Sequence, residues 1–382
     1  MNRNVITVKR AGRLIDWMAG ESLHAKRVQS VTNAVVGVVN AVSLSIHAIG
    51  AGLAQTSGLH TKHAIKQVDR LLSNPGFNVW TLFAHWVPYV VAANREIVVA
   101  LDWTDFDADG HSTIALSLIT THGRATPLVW MSVKKAQLKG RRNRHEDTVL
   151  LRLHDVLPPG VKVTILADRG FGDHRLYALL ADLGFDFVIR FRGVVLVQSR
   201  DGEVRPAHAW VPPNGKTRQL KAARVTADRH PVDSVVCVKA RGMKDAWCLA
   251  VGGAHTGATA VKRYARRFTI EESFRDTKDP RYGLGLSATH VHDVRRRDRL
   301  LLICAMAMTL LTVLGAAGES LGMDRMLKAN TVKTRTHSLF RQGCHYYAAI
   351  PAMKQELLEP LVQRFGEFVL GQSVYVHAFG LK

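Results

Sequence analysis

Residues 96–103, EIVVALDW, are followed by residues 112–121, STIALSLITT, and by residues 126–133, TPLVWMSV. Each run is rich in β-branched and apolar residues and is bounded by a short polar break, which predicts a meander of three strands. Downstream come a helical stretch from His145 to Val156, the apolar strand VKVTILAD at 161–168, a helix around His174 to Leu183 and the strand DFVIRF at 186–191. The resulting order, β-β-β-α-β-α-β, predicts an α/β fold in which a mixed sheet is flanked by helices.

Two carboxylates sit at informative places in that order. Asp102 lies near the end of the first strand after a run of apolar residues, where a charge needs a partner. Asp168 ends the strand VKVTILAD and is followed by Arg169, Gly170 and Phe171. Either alone reads as the cap of a turn. Together, at strand ends of one small sheet, they can face a common point. Their repulsion would then be costly unless a divalent cation lay between them, and Mg²⁺ or Mn²⁺ takes such oxygen ligands.

Outward from the sheet, Gly193 to Gly253 is a strand-and-turn stretch punctuated by Gly202, Pro206, Pro212, Pro213, Asn214 and Gly215, and reads as an inserted β-rich subdomain. Helical periodicity resumes at Ala258 and continues to Lys278, where Asp279-Pro280 stops it. Along this predicted helix Tyr264, Arg267, Glu271 and Lys278 fall at about 0°, 300°, 340° and 320°, within one sector of about 60°. An aromatic, two cations and a third carboxylate thus share one face. Glu272 lies about 100° from Glu271, so Glu271 is the candidate.

The spacing of Tyr, two residues, Arg, three residues, Glu, six residues and Lys in YARRFTIEESFRDTK resembles the signature of the insertion-sequence family four transposases, bacterial DDE enzymes with an RNase H-like core. ADRGF around Asp168 and ALDWTDFD around Asp102 are similar to that family's other two acidic motifs. With the helical N-terminal region and the β insertion before the last acid, the resemblance spans nearly the whole chain. It implies that Asp102, Asp168 and Glu271 are catalytic and bind two Mg²⁺ or Mn²⁺ ions. It implies that Arg267 and Lys278 contact phosphates of the transposon end, and that Tyr264 helps to place the same strand. Trp247 is similar in position to a Trp that stacks on a base flipped out as the DNA end closes into a hairpin. Its context AWCLAV also alternates like a core strand, so a buried Trp stands as the other reading. The activity implied is cut-and-paste excision and integration of an insertion sequence. The implied partners are the terminal inverted repeats and target DNA, bound by a homodimer on paired ends. A nuclease of the same fold without strand transfer, or a regulator derived from a transposase, are the alternatives. The presence of all three acids speaks against the regulator.

Composition agrees with a polyanion as partner. Lys and Arg number 52 against 31 Asp and Glu, for a net charge of +21, a field that attracts nucleic acid first. Cations cluster at Lys134, Lys135, Lys139, Arg141, Arg142 and Arg144, in the loop after the third strand, and Lys62, Lys66 and Arg70 recur every four residues on a predicted helix. The four cysteines are scattered, without metal-binding spacing, as free thiols of a reducing compartment would be. The start, MNRNVITVKRAGRLIDW, lacks a signal-like apolar run, so a cytoplasmic, nucleoid-associated protein is expected. Leu300 to Gly318 carries no charge, but it stands alone and follows Arg295–Arg299, so it reads as a core helix and not a membrane span. The expected organisation is a helical DNA-binding domain at 1–76 and an RNase H-like catalytic domain at 95–320. The latter contains the β insertion at 193–253, and a helical region at 321–382 follows for DNA contact or dimerisation, with Arg325, Lys328, Lys333, Arg335 and Arg341.

Overall fold

In the computed structural model the three apolar runs form an antiparallel meander of β1 (Glu96–Phe106), β2 (His111–Ile119) and β3 (Ala125–Lys134). The structure describes residues 23–370 together with Ile6, Ala11, Gly12 and Ile15. The remainder of residues 1–22, and residues 371–382, lie outside the described residues, and with them the outer parts of the expected domain at 1–76 and helical region at 321–382. β2 is buried along its whole length, which requires that both faces of the sheet be covered there.

β4 (Lys162–Ala167) runs parallel to β1, and β5 (Asp186–Phe191) parallel to β4. Parallel neighbours need crossovers, and α5 (Arg142–Val156) and α6 (His174–Asp182) provide them. The register pairs Leu101 with Ala167, so Asp102, still within β1, and Asp168, just past the end of β4, follow the same level of two adjacent strands.

The stretch read as an insertion does not form a separate layer. Its strands are β6 (Leu196–Gln198), β7 (Val204–Pro206), β8 (Arg218–Val225), β9 (His230–Val238) and β10 (Trp247–Gly252). β10 returns to pair antiparallel with β5, and the rest continue in the same plane, giving one ten-stranded sheet of order β3-β2-β1-β4-β5-β10-β9-β8-β6-β7 among the described residues. The stretch read as an inserted β-rich subdomain is thus a lateral extension of the core sheet.

On the N-terminal side, α1 (Ala25–Ala41), α2 (Ile46–Ser57), α3 (Thr61–Ser73) and α4 (Val79–Val91) confirm the helical reading of the described part. His24 and His60 lie at the caps of α1 and α3, each accepting a backbone N–H two residues on, and α1 and α2 meet at 98°. These helices share one hydrophobic core with the sheet and with the long helix α9 (Val294–Ser320). α9 is long and apolar enough to cross a membrane, but 83% of its apolar window is buried inside the protein. Arg297 and Arg299 on it are buried and bonded to other elements, as suits a core helix. α10 (Leu339–Ala349) lies against it, backbone to backbone. A Cβ on Gly343 would come 1.8 Å from the Leu311 carbonyl oxygen, so only glycine fits. α11 (Gln355–Leu370) follows. Three of the cations expected to serve DNA in this region are held by the protein itself: Lys328 by Asp324, Arg335 by Glu319 and Arg341 by the Tyr282 carbonyl.

Candidate active site

Asp102 lies within β1, which runs on to Phe106 and so does not end near it as expected; it is half-buried, and its Oδ1 accepts the Trp103 backbone N–H at 2.9 Å. Asp168 follows β4, and its Oδ1 accepts the Gly170 N–H at 2.7 Å, capping the short 3-10 turn Arg169–Phe171. The third acid comes from the signature segment, which departs from the single helix predicted. It divides into α7 (Gly257–Ala265), a 3-10 turn at Arg266–Phe268 and α8 (Thr269–Lys278). A 3-10 turn advances about 120° per residue instead of about 100°, and across it Tyr264 stays beside Arg267, whose charge and hydrogen bond act on its hydroxyl.

The break seats Arg267 between two acids. Its guanidinium is only 5% exposed. Nη1 donates to Asp102 Oδ2 at 3.0 Å, and Nη2 donates to Glu271 Oε1 at 2.6 Å. Burial pushes the Asp102 carboxyl up to about 6 from an ordinary 3.8; Arg267 opposes the rise, and the charges of Asp168 and Glu271 add to it. Both other acids are therefore close enough for their charge to be felt at Asp102. Glu271 itself faces outward, its side chain 52% exposed.

The other expected residues are distributed around this centre. Lys278 is half-buried; its Nζ donates to the Asp105 carbonyl at 2.5 Å and to Thr104 Oγ1 at 3.3 Å, and burial lowers its pKa. Tyr264 is 1% exposed and meets Trp247 edge to face at 4.9 Å, and burial raises its hydroxyl pKa. Trp247, at the start of β10, is half-buried, between the two readings given for it. Lys135 is drawn into ion pairs with Asp105 and Asp107, while Lys134, Lys139, Arg141, Arg142 and Arg144 stay exposed.

Two aromatics at the site went unread in the sequence. Phe268 is 44% exposed beside Arg267, with its ring 5.0 Å from the guanidinium and 6.4 Å from the ring of Trp247. Trp103, next to Asp102, donates from Nε1 to Glu146 Oε1 at 2.9 Å and carries Arg142 over its ring. The adjacency of each to a candidate residue was the signal available for both.

Residues 93–310 match the family of the transposase DDE domain. The chain belongs to that family. No curated protein matches it. The transposase therefore has the mixed sheet and flanking helices of an RNase H-like fold, and the family is one of DNA-acting enzymes that generally depend on divalent metal. The donor chemistry at this site fits such an ion. Three carboxylates supply hard oxygens, and the cluster already encloses one cation, the Arg267 guanidinium. In this arrangement, among the described residues, no three His, Cys, Asp or Glu side chains are drawn together tightly enough to hold a metal.

Proposed function

We propose that this transposase excises an insertion sequence and joins it to new DNA by phosphodiester hydrolysis and strand transfer, as a member of insertion-sequence family four. The supporting observation is the β1–β4 register that sets Asp102 and Asp168 side by side, with Arg267 linking Asp102 to Glu271.

Asp102, Asp168 and Glu271 are the residues that would hold two Mg²⁺ or Mn²⁺ ions, which would supply activation of the attacking water or 3′-hydroxyl and stabilisation of the leaving oxygen. At neutral pH Asp102 is mostly ionised, since its carboxyl titrates near 6. Arg267 and Lys278 neutralise phosphates of the element end. Tyr264, buried behind them, acts as a positioning residue that braces Trp247. The exposed edge of Trp247 together with Phe268 offers a platform for an unstacked base, the step that a hairpin intermediate requires.

The DNA leading to the site lies along the exposed cations after β3 and along a cleft of about 600 Å³ between α1 and α3, lined by Lys26, Arg27, Lys66 and Arg70. Such contacts fix position and supply affinity without reading sequence. The enzyme acts as a homodimer on paired ends, in the cytoplasm and on the nucleoid.

Duplexes ending in the inverted repeats that flank the gene, incubated with the protein, Mg²⁺ and a second DNA, test this. Products covalently joined to the second DNA are expected. Cleavage without joining would reduce the enzyme to a nuclease of the same fold, and binding without cleavage to a regulator.

A further inference from the structure

We infer that Arg267 is a placeholder cation: without DNA its guanidinium occupies the charge position of a metal ion between Asp102 and Glu271, and it must release at least one of them before the acids can close on an ion. This rests on the reading of the three acids as the metal site. One planar fork spans two carboxylates that come from different elements, at 3.0 Å and 2.6 Å. Oxygens around a hard divalent ion each lie about 2.1 to 2.5 Å from it, which requires a tighter cluster than the one a guanidinium holds open.

The placement also makes the arginine releasable. Its Nε is buried with no hydrogen-bond partner, and beside the two carboxylates just given its one further tie of this kind among the described residues is to the Tyr264 hydroxyl. Glu271, one of these, stands at the exposed rim. The guanidinium also lies against the exposed ring of Phe268, at the mouth of the site. The nearest incoming anion that could replace both carboxylates is a DNA phosphate, which the same fork binds with equal geometric fit. Ion uptake and DNA engagement are thereby linked: the free protein resists loading, and the arriving strand removes the competitor.

The test is a titration of the full chain with Mn²⁺ in the absence of DNA, with free ion followed by electron paramagnetic resonance. Arg267→Gln should bind Mn²⁺ at least about tenfold more tightly than the parent, a difference of about 1.4 kcal/mol. Arg267→Lys, which keeps the charge but loses the fork, should fall between. Equal or weaker binding by Arg267→Gln overturns the inference. Adding Asp102→Asn to Arg267→Gln should remove the gained binding. If the gain survives there, the ions lie elsewhere and it is the metal-site reading that fails. Circular dichroism shows whether Arg267→Gln folds; if it does not, Arg267→Lys decides alone, a gain supporting the placeholder and no gain refuting it.

Discussion

Two buried arginines in this protein are bonded to aspartates at opposite ends of one short stretch of chain, and they do opposite things. Arg297, on α9, has a fully buried side chain; it pairs with Asp109, whose side chain is 1% exposed, donates to His111 Nδ1 at 3.1 Å and to the Val291 carbonyl at 3.1 Å, and lies 4.2 Å from the ring of Phe106. His290 and His292 stand over the other Asp109 oxygen, at 3.8 and 3.7 Å, and cover the pair from the solvent side. Arg267 pairs with Asp102 within β1, but its second acid, Glu271, is at the surface, and a third, Asp168, adds repulsion at Asp102. A closed ion pair serves the fold. A cluster with more acid than cation, open on one side, is arranged to receive charge from outside.

Cutting each pair should therefore have unlike consequences. Arg297→Ala leaves Asp109 buried and uncompensated, and should cost about 3–5 kcal/mol of folding stability, read from urea unfolding. A loss under about 1 kcal/mol would show the pair to be as open as the one at Arg267. The sign should invert at the site: Asp102→Asn should raise stability at pH 8 by roughly 1–3 kcal/mol, since the carboxylate there is held against its preference for the neutral form. Asp109→Asn should lower it. Melting temperatures of the two variants give the comparison directly, and the same sign in both would erase it.

The dependence on pH sharpens this further. An acid whose folded pKa is raised contributes stability that is fully present below its ordinary value of 3.8 and is lost as pH rises through about 6. Unfolding free energy should thus fall between about pH 4 and 6 by up to about 2 kcal/mol on account of Asp102, less what solvent screens, and Asp102→Asn should flatten that slope. An unchanged slope in the variant would assign the titration to another group.

Much of this was legible in the sequence, for identifiable reasons. Alternating apolar runs determine strands, and the strand end locates Asp168 whatever its partners turn out to be; Asp102 was placed on the right strand, but the polar residues Asp102 to Asp105 hid that β1 continues to Phe106. The uncharged stretch within α9 was legible as core because it is apolar on every side. Pairing across the sheet was not: nothing in the alternation of AWCLAV says that β10 returns to β5, so the insertion could not be placed in the plane of the core sheet. The 3-10 turn at Arg266–Phe268 was hidden because Val261, Tyr264, Ala265 and Phe268 keep apolar residues at i, i+3, i+4 and i+7 straight through it. Arg297 and Arg299 read only as part of the charged run before the apolar stretch, since a sequence shows charge but not whether Asp109 or the Phe77 carbonyl waits for it.

The central claim is that Asp102, Asp168 and Glu271 act as one centre. Its most direct measurement is cleavage and binding of the same element-end duplex, with Mg²⁺, by Asp102→Asn, Asp168→Asn and Glu271→Gln, alongside Glu272→Gln as a neighbour outside the centre. The account predicts that each of the three loses cleavage by at least about a thousandfold, roughly 4 kcal/mol in the barrier, with DNA affinity within a few-fold of the parent, and that Glu272→Gln cleaves normally. Cleavage near the parent rate in any one of the three, with the protein folded and DNA bound, would contradict it.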